Sequence, residues 1–137
     1  TRLLTVTGVQ TCALPIWKLL TIEDDVLLRE TLTEILEVYG HTVVQAEDGE
    51  EGVEMFSKTA PDLVLCDVNM PKMDGFEVLE KLKTLVGPSK LPPFIFLSAK
   101  TEQKNIQHGL DLGAVDFVSK PYSAPELLKL IDLRLNE

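Results

Sequence analysis

Leu63-Val64-Leu65-Cys66-Asp67-Val68-Asn69-Met70-Pro71-Lys72-Met73-Asp74-Gly75 decides the reading: a continuous apolar run closed by a carboxylate, then a stretch rich in turn formers. Such a run between turn signals is a buried strand, and it delivers Asp67 to its carboxyl end. Upstream, Leu19-Leu20-Thr21-Ile22 is closed by Glu23-Asp24-Asp25, and downstream Val115-Asp116-Phe117-Val118-Ser119 is closed by Lys120-Pro121. In an open α/β sheet, ligands bind beyond the carboxyl ends of the strands, where strand order reverses. Three acids and a lysine at one such edge suggest a divalent cation and a phosphoryl group.

Apolar runs alternate with helix-period segments five times, the pattern of a βα repeat around a parallel sheet. The expected strands are about Lys18 to Ile22, Thr42 to Ala46, the run ending at Asp67, Phe94 to Leu97 and Val115 to Val118. The first helix is expected to start on Asp25 as cap, to carry Leu28, Leu32, Ile35, Leu36 and Tyr39 on one face, and to end at Gly40. Asp48-Gly49-Glu50-Glu51 reads as a capping box opening a helix that buries Val53 and Phe56, with Pro61 stopping the chain before strand three. The third helix, about Gly75 to Leu85, turns Phe76, Leu79 and Leu82 inward, and a Gly-, Pro- and Ser-containing loop spans Val86 to Pro93. The fourth, about Thr101 to Leu112, has a thin stripe of Ile106 and Leu110 and an internal Gly109, which costs about 1 kcal/mol relative to alanine. That makes it the expected mobile helix. Ser123-Ala124-Pro125-Glu126 reads as a capping box opening a last, leucine-rich helix through Leu135.

The chain has 137 residues, 45% of them hydrophobic, which suits one domain with a proper core. Its net charge of −9 argues against direct binding to a nucleic-acid backbone. No apolar stretch is long enough to span a bilayer, and a cytoplasmic protein without membrane contact is expected. Residues 1–16 stand apart from the domain at 17–137. Val6 to Ile16 reads in one frame like the translation of a short-read sequencing adapter, lacks a helical or strand period, and is expected to be non-native. Cys12 falls there, leaving Cys66 as a small buried thiol in its strand. His41 and His108 lack ligand spacing and are expected to be solvated or locally bonded; zinc is unsupported.

With strand order 2-1-3-4-5 in a doubly wound five-stranded parallel sheet, the switch point falls between strands one and three, and Glu23, Asp24 and Asp67 converge. Two unit charges about 4 Å apart repel by roughly 4 kcal/mol at an effective dielectric of 20. Three carboxylates therefore need compensation, and Mg²⁺ with a few carboxylates, waters and phosphate oxygens supplies it. Asp25 and Asp74 read instead as helix caps or solvated turn residues.

Ile22-Glu23-Asp24-Asp25, Asp67 through Gly75, Ser98-Ala99-Lys100 and Lys120-Pro121-Tyr122 occur in order, each at a strand end. Together, from Lys18 to about Leu135, they resemble a bacterial two-component response-regulator receiver domain, a flavodoxin-like (CheY-like) (βα)5 fold. The resemblance implies that Asp67 accepts a phosphoryl group from a sensor histidine kinase, a phosphotransfer protein or a small phosphodonor. Asp24 and Asp67 would bind Mg²⁺ directly, Asn69 through its backbone carbonyl and Glu23 largely through water. Lys120 would hold a phosphoryl oxygen, although alone it could equally be a surface lysine, and its bond to Pro121 is expected to be cis. Ser98 and Phe117 match the switch pair; Phe117 could equally be an ordinary core ring, and it lacks a tyrosine's hydroxyl. Asn69 and Lys100 occupy the positions that tune acyl-phosphate lifetime. The output surface would comprise the fourth helix, fifth strand and last helix, with Lys104, Asp116 and Arg134, open to a partner or a second copy. As a signalling domain, the chain would catalyse only its own phosphorylation and dephosphorylation.

Three other readings are weaker. An aspartyl-phosphate hydrolase of the haloacid dehalogenase type needs a second Asp two residues after the nucleophile, where Asn69 stands. A degenerate, interaction-only receiver usually lacks one of the acids or the lysine, and all are present. A nucleotide-binding fold would end its first strand in a glycine-rich loop rather than Glu23-Asp24-Asp25.

Overall fold

The computed structural model describes residues 4–6, 9–11, 16–99 and 106–136. Five strands, β1 (Lys18–Ile22), β2 (Thr42–Ala46), β3 (Leu63–Asp67), β4 (Phe94–Ala99) and β5 (Asp116–Lys120), alternate with α1 (Val26–Val38), α2 (Gly49–Thr59), α3 (Gly75–Val86), α4 (Ile106–Leu112) and α5 (Ala124–Leu135). The strands are all parallel and lie in the order β2-β1-β3-β4-β5, the doubly wound arrangement expected.

Period-2 alternation sorts the core into two layers. Leu20, Ile22, Val64, Cys66, Phe94 and Phe96 face one side, where Phe56 of α2 and Val78, Leu79 and Leu82 of α3 cover them. Leu19, Leu63, Leu65, Ile95, Leu97 and Val118 face the other, under Leu32 and Leu36 of α1 and Leu127, Leu128 and Ile131 of α5. Every residue of β3 is buried, so the strand that ends in Asp67 is walled on both faces. Each fully buried leucine contributes about 2 kcal/mol by removal from water.

Caps set the helix starts. Asp25 Oδ1 accepts from Leu28 N–H at 3.0 Å, and Asp48 Oδ1 from Glu51 N–H at 2.8 Å. Asp74 makes the reciprocal capping box, accepting from Glu77 N–H at 2.9 Å while its own N–H donates to Glu77 Oε1 at 3.3 Å. At α2 the box is incomplete, because the Glu51 carboxylate accepts from Glu47 N–H. Gly40 follows α1 with φ +89°, a conformation glycine adopts freely.

Several expectations need correction. β4 continues to Ala99, which puts Ser98 inside the strand, and β5 runs from Asp116 to Lys120, so Lys120 is a strand residue. Leu28 of α1 and Tyr39, the residue that caps its end, are exposed. Val53 is only half-buried. His41 is buried rather than solvated: its Nδ1 accepts from Trp17 N–H at 3.3 Å, a partner 24 residues away, and burial pulls its pKa below the ordinary histidine value. His108 is exposed and edges onto the Phe76 ring. Gly109 also meets a packing requirement, because a Cβ there would lie 2.5 Å from Phe96 Cε2. Lys83 Nζ also donates to the Leu112 carbonyl at the end of α4. Where no strand period was expected, Leu4–Val6 and Val9–Thr11 form an antiparallel pair, in a sheet separate from the five-stranded one. Lys100, Lys104 and residues 101–105 of the expected fourth helix lie outside the described residues.

Candidate functional site: an acidic cluster at the strand ends

At the carboxyl edge of the sheet, Glu23, Asp24 and Asp67 each offer a carboxylate oxygen, all within 4.8 Å of one another. Glu23 follows β1 directly, its N–H donating to Ala46 O at 3.1 Å so that β2 still holds the chain there. Asp24 is exposed at the next position, whereas Glu23 and Asp67 are buried. Asp67 is the last residue of β3, and Val68 N–H bonds Leu97 O at 3.2 Å beyond it. Gly75 closes the loop underneath, donating to Val68 O at 2.8 Å; a Cβ there would stand 2.5 Å from the Asp67 carbonyl oxygen. Glycine is required at that approach.

Lys120 enters from the end of β5. Its Nζ lies 2.8 Å from Glu23 Oε1 and 3.3 Å from Asp67 Oδ1, and the Lys120–Pro121 bond is cis. Burial, reinforced by the neighbouring Glu23 carboxylate, pushes the Asp67 carboxyl up to about 7 against the opposing pull of Lys120. Asp24 is raised for the same reasons, burial first and Glu23 second. Burial works against the Lys120 ammonium, but its bond to Glu23 and the charge of Asp67 outweigh that, and its pKa rises. The Cys66 thiol is fully buried and donates to Asp67 O at 3.2 Å; burial pushes its pKa well up, which fits an inert core thiol.

The donor set suits a small hard cation. Three carboxylate oxygens spread over 4.8 Å need little contraction to sit on one octahedron, whose opposite oxygens are about 4 Å apart for Mg²⁺. Asn69 lies exposed on the loop two residues past Asp67. Ser98 is 1% exposed, and its Oγ has no hydrogen-bond partner among the described residues. Phe117 is half-buried and packs against the layer containing Phe96, its register partner.

One contact was not anticipated from the sequence. Arg29, in the first turn of α1, donates from Nη1 to the Glu23 carbonyl oxygen at 2.8 Å. Its only trace in the sequence is a basic residue one helical turn past the Asp25 cap.

A parallel five-stranded sheet with an acid cluster and a lysine at its switch point defines a class, and the comparisons with known proteins agree with it. The chain belongs to the response regulator receiver domain family, whose model matches residues 19–132. It is therefore a signalling domain of two-component systems. It is 38% identical over 120 residues to the transcriptional regulatory protein DltR of Streptococcus agalactiae, covering 88% of this chain and 52% of that protein. It is 38% identical over 111 residues to the response regulator MprA of Mycobacterium ulcerans, covering 81% of this chain and 47% of that one. The chain thus spans about half the length of the curated relatives it matches. Among solved structures, the chemotaxis protein CheY4 of Vibrio cholerae superposes with a TM-score of 0.82 at 30% identity, over 88% of this chain and 100% of that one. No described helix is long and apolar enough to cross a membrane.

Proposed function

We propose that this domain receives a phosphoryl group on Asp67 from a phosphohistidine of a sensor histidine kinase or phosphotransfer protein, or from a small phosphodonor, with Mg²⁺ bound by Glu23, Asp24, Asp67 and the Asn69 carbonyl. The observation that carries this reading is the buried Asp67 carboxylate, grouped with Glu23 and Asp24 within 4.8 Å and with Lys120 Nζ 3.3 Å away. An Asp67 oxygen attacks phosphorus, the bond to the donor breaks, and an acyl phosphate forms while the donor leaves with the bonding pair. Bound Mg²⁺ would neutralise charge on the transferring oxygens. Lys120 trades its contact with Glu23 for one with a phosphoryl oxygen, acting as a point charge.

The hydroxyl of Ser98, which has no partner among the described residues, is suited to turn toward the phosphoryl group, with the Phe117 ring moving inward behind it. The output surface is then α4, β5 and α5, which could meet a second copy or a partner protein. In this reading the domain works in the cytoplasm, without direct nucleic-acid or membrane contact, and residues 1–16 lie outside the receiver unit.

Treatment with acetyl phosphate and Mg²⁺, followed by intact-mass analysis, tests the reading. One acid-labile phosphoryl group is expected, absent in Asp67→Asn and unaffected by removal of residues 1–16. Equal labelling of Asp67→Asn would reject the acceptor.

A further inference from the structure

The loop bearing Glu23 and Asp24 is tied from outside the acidic cluster. One tie is strand pairing, Glu23 N–H to Ala46 O at 3.1 Å. The other is the guanidinium of Arg29, which reaches back from α1 to the Glu23 carbonyl at 2.8 Å. That carbonyl belongs to the peptide plane joining Glu23 to Asp24. Because the plane is rigid, its orientation sets the position of the Asp24 Cα, the point from which that residue's own torsions aim the carboxylate. Asp24 is exposed, so little packing of its own constrains it.

The main chain at Arg29 is fixed in the first turn of α1. Its N–H donates to Asp25 O at 2.9 Å, its carbonyl accepts from Thr33 Oγ1 at 2.8 Å, and the cap at Asp25 fixes the start of the helix. From that fixed point its side chain links α1 to the acid loop through the bond to the Glu23 carbonyl.

We infer that Arg29 is a positioning residue of the cation site: its hydrogen bond to the Glu23 carbonyl holds the Glu23–Asp24 peptide so that the Asp24 carboxylate converges on Asp67. The inference rests on the functional reading above and extends it to a residue that touches neither metal nor phosphate. Its sign separates it from a simple charge effect. A guanidinium close to the acids repels a cation, so if charge were all, neutralising Arg29 would tighten Mg²⁺ binding. If position is what matters, neutralising it loosens binding, because groups that orient metal ligands are worth about 10- to 100-fold in affinity.

Calorimetric titration of Mg²⁺ into the full chain decides between them, using wild type, Arg29→Met, Asp24→Asn and the double variant, with metal-free thermal midpoints measured in parallel. Arg29→Met is expected to weaken Mg²⁺ binding about tenfold with little change in midpoint. The same change in the Asp24→Asn background is expected to have no further effect, since Arg29 acts through Asp24. Equal or tighter binding by Arg29→Met, or full additivity in the double variant, overturns the inference alone. A wild-type chain that binds no Mg²⁺ overturns the functional reading and this inference with it. Should Arg29→Met fail to fold, Arg29→Gln carries the comparison: it lacks the charge and the reach, weaker Mg²⁺ binding supports positioning, and unchanged or tighter binding rejects it.

Discussion

Lys120 Nζ is bonded to the Glu23 carboxylate at 2.8 Å, closer than the 3.3 Å that separates it from Asp67. Before any phosphoryl group arrives, the lysine therefore serves mainly to compensate a buried acid 97 residues away. The strand ends bring the pair together, and the low accessibility of Glu23 makes the pairing matter.

Lys120→Met removes the only cation bonded to these two carboxylates among the described residues. Removing one partner of a buried ion pair costs about 3 kcal/mol. Without the lysine, which lowers the Asp67 pKa, that group stays protonated to still higher pH. Urea unfolding without metal should therefore show a loss of about 3 kcal/mol near pH 8 and a smaller one near pH 5, where Asp67 is protonated in both proteins. Equal losses at both pH values would contradict the coupling.

Asp67→Asn isolates the other side of the balance. The Asp67 pKa is raised from 3.8 to about 7 in the folded chain, so the folded state holds its proton more tightly than the unfolded one. The stability this brings is complete below the unfolded value and is lost as pH rises through about 7. Asparagine does not titrate. Metal-free Asp67→Asn should match wild type near pH 4 and exceed it near pH 8, by on the order of 4 kcal/mol. Thermal midpoints across that range check it, and a pH-independent gap would speak against burial as the cause.

The strand ends were legible because Leu63 to Cys66 and Leu19 to Ile22 are unbroken apolar runs, and a charge can follow such a run only where the strand leaves the core. Alternation of β and α signals pointed to a parallel sheet, for which the doubly wound order 2-1-3-4-5 was the expected arrangement. What could not be read were contacts between residues remote in sequence. Nothing near His41 announces Trp17 N–H as its donor, and nothing near Glu23 announces Lys120 or Arg29. Helical period also identifies a face without showing how far the sheet beneath it extends. Leu28 and Tyr39 keep the period of α1 and are nevertheless exposed, while Leu32 and Leu36 between them are buried.

Gly109 turns on the same distinction. On helix propensity alone, Gly109→Ala should stabilise α4 by about 1 kcal/mol. The new Cβ would lie 2.5 Å from Phe96, a buried ring already packed edge-on by Phe94 and Phe76. A ring held on several sides has no room to yield, and overpacking costs about 1–3 kcal/mol. A net destabilisation of about 1 kcal/mol is expected by denaturant unfolding; a gain in stability would show that the ring gives way.

Ser98→Ala tests the switch. The Ser98 hydroxyl is buried without a partner among the described residues, a condition that costs about 1–3 kcal/mol, so its removal should leave the resting domain as stable or slightly more so. The hydroxyl gains a partner only if an acceptor arrives at Asp67, and an arriving group shifts an equilibrium only through contacts that differ between two states. A phosphoryl group adds about −1.5 to −2 charges at neutral pH, with oxygens able to accept that bond. Ser98→Ala should therefore still take phosphate at Asp67 while losing much of the change that follows. Amide hydrogen exchange with and without beryllofluoride as phosphate mimic is the measurement. Wild-type protection should change across residues 100–122, with a much smaller change in Ser98→Ala; matching responses in the two proteins would remove Ser98 from the switch and leave the coupling to some other contact at the end of β4.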